Sequence, residues 1–303
     1  MRIITNPGSN VSRRALQHYG IELSPQQIVV DGVSHDTREE VSIKDIDRWV
    51  WTAKEFPHVV GTTAQEFVSM FASASTKDPE IVVLLTSKKI IQTYAAATAA
   101  ARTLQSRAAT RHAQISIVDS GVTDAAVGLL AIAAGELARA GIPLRTVERA
   151  LEMLASRLLC VFSPGGFEHL VKGGRASWLR ARVATMLNLR ALVGFSDGET
   201  SAFGTIRASE GARGAVTALA NQFKTSFNRG RKVWVAIMHT GGDTVEHAHA
   251  LLGELSDSLS VTYTYVRPLS PSIYLHLGPG TIGAAVVPVD DLPCELPTPP
   301  PLA

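Results

Sequence analysis

Short apolar runs alternate with longer amphipathic stretches along the chain, and this pattern predicts an α/β fold. The runs Ile81 to Leu85 and Val233 to Met238 are apolar without interruption, as in strands that are buried on both faces of a parallel sheet. We therefore predict two α/β domains with mainly parallel sheets flanked by helices. Besides those two runs, strands are predicted at Ile3–Ile4, Ile28–Val30, Ile115–Val118, Val161–Phe162 and Val261–Val266.

Helical periodicity fills the intervals between these strands. Ser42 and Ser87 are suited to cap helices that begin just after them, and the second helix is predicted over the alanine-rich stretch Lys88 to Arg107. Apolar residues recur at spacings of three and four from Val147 to Leu158, which predicts a further amphipathic helix. Another is predicted from Ser209 to Phe227.

A seam near residue 160 divides the chain into an N-terminal domain, residues 1–160, and a C-terminal domain, residues 161–292. The last eleven residues, 293–303, hold five of the fifteen prolines. Because repeated proline can neither donate to a sheet ladder nor sustain a helix, we predict that this tail is disordered or laid along the surface.

Charge and cysteine content exclude several classes of protein. The 29 basic and 27 acidic residues leave a net charge of +2 without a concentrated basic run, which argues against a nucleic-acid-binding protein. Cys160 and Cys294 are too far apart in sequence for a zinc ribbon or a disulfide framework. The most apolar stretch, Ala125 to Ile142, contains Glu136 and Arg139, which argues against a membrane span. A cytoplasmic protein is predicted.

Two glycine-rich segments suggest binding chemistry. Gly278 to Gly283 matches the G-x-G-x-x-G pattern, but a strand-like segment follows it where a dinucleotide fold needs a helix. We therefore interpret it as a tight turn before a terminal strand, and we expect no cofactor. In Lys172-Gly173-Gly174-Arg175, the glycines suit a helix C-cap, and Arg175 could equally present its guanidinium to a carboxylate or phosphate.

Hydroxyl-bearing residues follow several predicted strands. Thr62 and Thr63 come after one apolar run, and Thr86 and Ser87 after another. Ligands of open α/β sheets bind beyond the carboxyl ends of the strands, so these hydroxyls are candidates for binding a polar group. His247 and His249 are two residues apart and would diverge on a helix, so no metal site is expected.

The order of five short segments is similar to that of the DegV family, and the resemblance extends from Arg2 to about Val289. Each segment is weak alone, and their order and spacing make the resemblance specific. The segments are TSKKIIQTY (86–94), IVDSG (117–121), LVKGGR (170–175), MLNLRALVGFSDG (186–198) and LHLGPGTIG (275–283).

The resemblance implies a bacterial fatty-acid-binding protein with two α/β domains. It implies that the acyl chain is enclosed between helices and the sheet of the N-terminal domain, and that hydroxyls near the domain boundary hold the carboxylate. Some members of the family are the acyl-carrying subunit of fatty acid kinase and present the carboxylate to a kinase partner. Carried over segment by segment, the family pattern gives these ligand-binding candidates: Thr62, Thr63, Ser87, Arg175, His276, Gly278 and Gly280.

The chain departs from the family pattern at two places. A second Ser-Gly pair that contributes to the family's carboxylate site is Ile91-Gln92 here, and the opening Thr-Asp-Ser is Thr5-Asn6-Pro7. A buried carboxylate needs hydrogen-bond donors to offset its desolvation, so the loss of a serine at Ile91 weakens this site.

The leading hypothesis for function is the binding of a long-chain fatty acid or similar lipid by a non-catalytic protein. A sixteen-carbon chain gains on the order of 10 kcal/mol from burial of its methylenes before entropic costs. The alternative is an enzyme that acts on a small phosphorylated or carboxylated substrate at the same strand ends. A third hypothesis is an interaction subunit of a kinase complex, with Arg175 and His276 on its docking surface.

Overall fold

The secondary structure follows the alternation of the sequence. The structure, a computed structural model, describes residues 1–38, 41–107, 110, 112–174 and 188–302. Within these residues the strands are β1 (Arg2–Thr5), β2 (Ile21–Leu23), β3 (Gln27–Val30), β4 (Val33–Asp36), β5 (His58–Val60), β6 (Glu80–Leu85), β7 (Gln114–Asp119), β8 (Leu159–Ser163), β9 (Leu189–Ser196), β10 (Glu199–Arg207), β11 (Lys232–His239), β12 (Ser260–Pro268) and β13 (Ile282–Pro288).

The helices of the same described ranges connect these strands. They are α1 (Arg13–Tyr19), α2 (Ile43–Thr52), α3 (Ala64–Lys77), α4 (Thr93–Gln105), α5 (Ala125–Arg139), α6 (Leu144–Arg157), α7 (Glu168–Lys172), α8 (Gly211–Ser226), α9 (Thr244–Ser256) and α10 (Pro271–Leu277).

The described strands form three sheets. A four-stranded parallel sheet has the order β2-β1-β6-β7, a small antiparallel sheet has the order β4-β3-β5, and a six-stranded sheet has the order β10-β9-β8-β13-β11-β12. The prediction of an α/β fold is confirmed, and every strand predicted from an apolar run is present.

The expectation of mainly parallel sheets is met in the first half of the chain only. In the six-stranded sheet β11 and β12 are parallel, and its other pairings are antiparallel. The uninterrupted apolar run at Val233–Met238 reflects burial of β11 on both faces by helices. This strand has one parallel and one antiparallel neighbour. Burial, and not strand direction, is what the apolar pattern records.

Helices α5 and α6 lie between the two larger sheets. Helix α5 is buried on every side from Ala125 to Leu137 and contacts β6, β11 and β13. A helix that is apolar all round belongs in the interior of a protein, and this position explains the composition of the segment. No helix of the described residues is both long enough and apolar enough to cross a membrane.

Strand membership changes sheet at residue 159, where β8 begins. One hydrophobic core nevertheless continues through both halves and includes residues of α5, α6 and the central strands of the six-stranded sheet. The division into domains at residues 1–160 and 161–292 therefore stays a prediction about independent folding.

The tail lies along the body over its described residues. Cys294, Leu296 and Leu302 are partly buried against the main core, and the Ser12 hydroxyl donates a hydrogen bond to the Leu302 carbonyl. Leu296 and Leu302 supply apolar contacts between the described part of the tail and the core. The expectation of a disordered or surface-laid tail over residues 293–303 stays a prediction.

Two predicted helix caps have different outcomes. Ser42 caps α2 in a capping box with Asp45, as expected. Ser87 does not cap α4, which begins at Thr93, so that prediction is wrong. The Ser87 hydroxyl instead donates to the carbonyl of Gly198, at 2.7 Å, in the turn between β9 and β10. A tight turn over residues 88–90 follows β6 in place of the first turn of a helix.

Asp124, directly before α5, is a fully buried carboxylate that joins three segments. Its Oδ1 accepts from Asn10 Nδ2 and the Ala125 amide at 2.8 Å each, and its Oδ2 accepts from the Ser270 amide at 2.9 Å and hydroxyl at 2.7 Å. Burial raises the pKa of the Asp124 carboxyl, and the hydrogen bonds from Ser270 and Asn10 oppose that rise. The N-terminal loop, α5 and α10 are thereby fixed to one another.

We expect Asp124→Asn to lower the free energy of unfolding by about 2–4 kcal/mol, because the new amide places a donor against the donors of Asn10 or Ser270. Urea denaturation followed by circular dichroism measures this change. Asp243→Asn, at an exposed aspartate, is the control and should change the stability by less than about 0.5 kcal/mol. Equal stability of the two variants would contradict the role assigned to Asp124.

Candidate functional site

Two adjoining chambers lie beyond the carboxyl end of β6, where the N-terminal loops meet the six-stranded sheet and α10. The first, which we call the apolar chamber, has a cavity volume of about 40 Å³ and is walled by Phe162, Leu170, Val193, Phe195 and Leu277 among others. The second, the mixed chamber, has a cavity volume of about 30 Å³. Both cavities are narrow.

The mixed chamber has more polar walls than the apolar one. Gln26, Thr86 and Ser272 line it, together with Gly8 and Val59. The chambers share one wall, and a ligand longer than either must pass that wall. The residues of the shared wall are Ile90, Thr123, Ile273 and His276.

The described residues that line the two chambers carry no formally charged side chains. Their described walls contain no lysine, arginine, aspartate or glutamate. A bound carboxylate must therefore be satisfied by neutral hydrogen-bond donors or by His276. Gln26 and His276 both carry N–H groups on the walls of the mixed chamber.

A wider open groove lies on the other side of Ile90 and Ile91. Thr62, Thr63 and Thr93 line this outer groove. Ile90 and Ile91 line both the groove and the mixed chamber, so their side chains form the partition between the two. The position at which this chain lacks the family's serine is thus part of an apolar wall.

Thr62 and Thr63 line the same groove, but each hydroxyl is engaged within the protein. Thr62 is buried, and its Oγ1 donates to the Pro25 carbonyl at 2.6 Å, next to Gln26. Thr63 caps α3 through a capping box with Glu66, whose carboxylate accepts from the Thr63 hydroxyl at 2.7 Å. Neither lines a chamber, and their role in binding a carboxylate stays a prediction.

Ser87 lies apart from these threonines. It is fully buried, bonded to Gly198, and lines neither chamber nor the outer groove. We expected the hydroxyls of Thr62, Thr63 and Ser87 to face one common crevice. In the structure Thr62 and Thr63 line the outer groove and Ser87 does not. Arg175 lies outside the described residues.

His276 is the predicted residue that the structure brings into both chambers. It lies in the last turn of α10, with its ring centre 6.2 Å from that of Phe56. Gly278 ends this helix at φ +72°, and a Cβ there would lie 2.6 Å from the His169 ring. Only glycine accommodates both the positive φ and the nearby His169 ring, so the turn after His276 needs glycine at position 278.

Arg190 holds the far side of the same turn. Its guanidinium donates to the Gly280 carbonyl at 2.6 Å and to the Ser163 hydroxyl at 2.9 Å. Burial lowers the pKa of Arg190 from its ordinary value, and the group stays charged at neutral pH because arginine titrates so high. Gly278 and Gly280 line neither chamber, and they form the backbone turn that follows His276.

Sequence reasoning missed Gln26 and Thr123 as wall residues. Gln26 precedes β3 in an ordinary polar loop, and Thr123 follows the IVDSG segment without a motif of its own. The nearness of IVDSG to Thr123 is the one signal in the sequence that could have indicated it.

Comparison with known families identifies a match over residues 1–289 to the family model described as uncharacterised proteins of the DegV family. A fatty acid-binding protein of Thermotoga maritima is 26% identical over an alignment of 294 positions that covers 94% of this chain and 97% of that protein. The resemblance drawn from the order of the motifs is confirmed.

Solved structures share the fold. A DegV family protein from Thermus thermophilus, described by its fatty acid binding, has a TM-score of 0.84 and 26% identity and covers 95% of this chain and 100% of its own. A DegV family protein from Eubacterium eligens, loaded with heptadecanoic acid, has a TM-score of 0.80 and 17% identity over 95% of this chain and 99% of its own. The second likeness concerns the fold alone.

Proposed function

The chain belongs to the DegV family, and from that premise we propose that it binds a long-chain fatty acid in the two adjoining chambers, whose walls part to admit it. The observation that carries this proposal is an apolar chamber that adjoins, across one shared wall, a chamber with more polar walls. The hydrocarbon chain occupies the first and the carboxyl group the second. The protein acts by binding, without a catalytic step of its own.

The walls of the apolar chamber favour a methylene chain. Phe162, Leu170 and Val193 are almost completely buried. Ligand methylenes that pack beside them are therefore removed from contact with water. Each methylene buried in this way contributes about 0.8 kcal/mol. The contribution grows with chain length and favours long-chain over medium-chain acids.

The carboxyl group lies against Gln26 and His276 in this proposal. The Thr37 hydroxyl and amide donate to the Gln26 carbonyl at 3.0 and 2.9 Å, and the Thr62 hydroxyl donates to Pro25 beside it. These bonds fix the backbone that carries Gln26. In this proposal Thr62, a residue predicted from the sequence, positions Gln26 through its hydrogen bond to Pro25.

We expect the protein to bind hexadecanoic acid at a ratio of one to one, measured by native mass spectrometry and by titration calorimetry. Val193→Phe fills part of the apolar chamber and should weaken binding about tenfold or more, since a displaced chain loses several methylene contacts. Val33→Phe, at an exposed valine, is the matched control and should bind like the parent. Failure of the parent protein to bind any fatty acid of twelve to eighteen carbons would overturn the proposal.

A second test concerns the head group. Gln26→Leu should weaken hexadecanoate binding about ten- to a hundredfold, because a hydrogen bond to a buried carboxylate is lost, and should leave hexadecanol binding nearly unchanged. Gln27→Leu makes the same change one residue along, in β3 and outside the chamber walls, and serves as the control. Equal losses for the acid and the alcohol would place the carboxyl group elsewhere.

The family resemblance also supports a kinase partner, and we propose that a cytoplasmic kinase subunit phosphorylates the bound carboxylate. His276 lies next to Gly173, and the described part of that segment, Lys172–Gly174, is the proposed docking surface. A fatty acid kinase catalytic subunit and ATP, added to the loaded protein, should give an acyl phosphate and ADP. Trapping of the product as a hydroxamate measures the reaction. A loaded protein that yields no hydroxamate with an active kinase would refute the partner.

A further inference from the structure

Thr123 carries a buried hydroxyl that has no hydrogen-bond partner among the described residues. The residue is 2% exposed, its Oγ1 is inaccessible, and it forms part of the wall that the two chambers share. Buried polar groups are almost always hydrogen-bonded, and each exception calls for an explanation. Thr123 lines both chambers, so a ligand that fills them contacts this residue.

The other deeply buried polar side chains on these walls have partners. Thr86 accepts from the Asn6 amide at 3.1 Å, and Gln26 Oε1 lies 3.5 Å from the Thr37 hydroxyl. The Ser272 hydroxyl lies 3.4 Å from that of Ser270. Thr123 differs from these three residues in that its hydroxyl has no partner among the described residues.

The backbone at Thr123 cannot move this hydroxyl elsewhere. Asp124, the next residue, is fixed by four hydrogen bonds, and the carbonyl of Val122 accepts from the Ser87 amide at 2.9 Å. Threonine is β-branched, so its side chain has few rotamers to choose from. Thr123 is thus held at the shared wall from both sides.

An unsubstituted methylene chain that passes this wall leaves the hydroxyl unsatisfied. A ligand oxygen at that point would accept from it and remove the penalty. Because Thr123 lines the mixed chamber as well as the apolar one, the matching oxygen lies close to the carboxyl group and not at the far end of the chain. Phe162, Leu170 and Phe195 surround the far end.

We propose, on the basis of the proposed fatty-acid binding, that the preferred ligand is a long-chain fatty acid with a hydroxyl group on its second or third carbon, and that Thr123 binds this hydroxyl. Thr123 is then the residue that determines specificity. It selects hydroxylated acids over the unsubstituted acid of the same length.

The test compares 2- and 3-hydroxyhexadecanoate with hexadecanoate by titration calorimetry. The parent protein should bind at least one of the two hydroxy acids about three- to tenfold more tightly than hexadecanoate, the gain expected from one additional hydrogen bond. Thr123→Val should abolish this preference and bind hexadecanoate at least as tightly as the parent does. Thr123→Ser keeps a hydroxyl and should keep the preference.

Two controls separate this effect from other causes. Thr93 also has a buried hydroxyl without a partner in the described part of the chain, but it lines the outer groove alone, so Thr93→Val should keep the preference. The ligand 16-hydroxyhexadecanoate carries its hydroxyl at the far end and should bind more weakly than hexadecanoate.

Several results would overturn the inference. Equal affinities of the parent for hexadecanoate and both hydroxy acids, or a preference that survives in Thr123→Val, would show that Thr123 does not select the ligand. A Thr123→Val variant that loses hexadecanoate as strongly as the hydroxy acids would assign Thr123 to the carboxyl group. A parent protein that binds none of these acids would instead refute the proposed function, and this inference with it.

Discussion

The buried carboxylate of Asp124 is the interaction on which the arrangement of the chambers depends. Its four hydrogen bonds connect the loop after β1, the start of α5 and the start of α10, which are far apart in sequence. The backbone at Asp124 has a φ of +57°, a conformation that a residue other than glycine adopts only when its surroundings enforce it. Hydrogen bonds to a charged group are strong enough to enforce it.

Each segment joined at Asp124 supplies part of a chamber wall. The N-terminal loop contributes Gly8, the segment that leads into α5 contributes Thr123, and α10 contributes Ile273 and His276. A displacement of any one segment would change the shape of the shared wall. The structure therefore adds a directional polar contact to the apolar packing that these elements share.

The fold could be predicted from the sequence because burial leaves a local record. The uninterrupted run at Val233–Met238 and the apolar stripe from Val147 to Leu158 identify β11 and α6 directly. The record does not include strand direction, which depends on partners distant in sequence. Polar strands such as β4, with its exposed Val33, leave almost no apolar pattern and were not predicted.

The site could be predicted in part. Gly278 and Gly280 both have a positive φ, so their motif records the backbone turn beside His276, and their role in binding stays a prediction. Hydroxyl groups are harder to interpret, since one threonine can cap a helix, brace a loop or face a ligand. Thr63 caps α3 and Thr62 braces Pro25, and no local feature distinguishes these roles from binding. Ser87 is bonded to a residue 111 positions away, which a local pattern cannot show.

The departure from the family pattern at Ile91 has a structural counterpart in the partition between the outer groove and the mixed chamber. A Cβ on Gly61 would lie 3.0 Å from Ile91 Cδ1 and 2.2 Å from Thr93 Oγ1, so the end of β5 packs closely against this partition. An isoleucine there offers no donor to a carboxylate, and the hydroxyls of the groove lie behind it. Any polar contact with a ligand in the chambers must then come from the inner walls, where Gln26, His276 and the unpartnered hydroxyl of Thr123 are found. Ile91 thus separates the mixed chamber from the groove, and the polar groups that line the inner walls are the ones available to a ligand there.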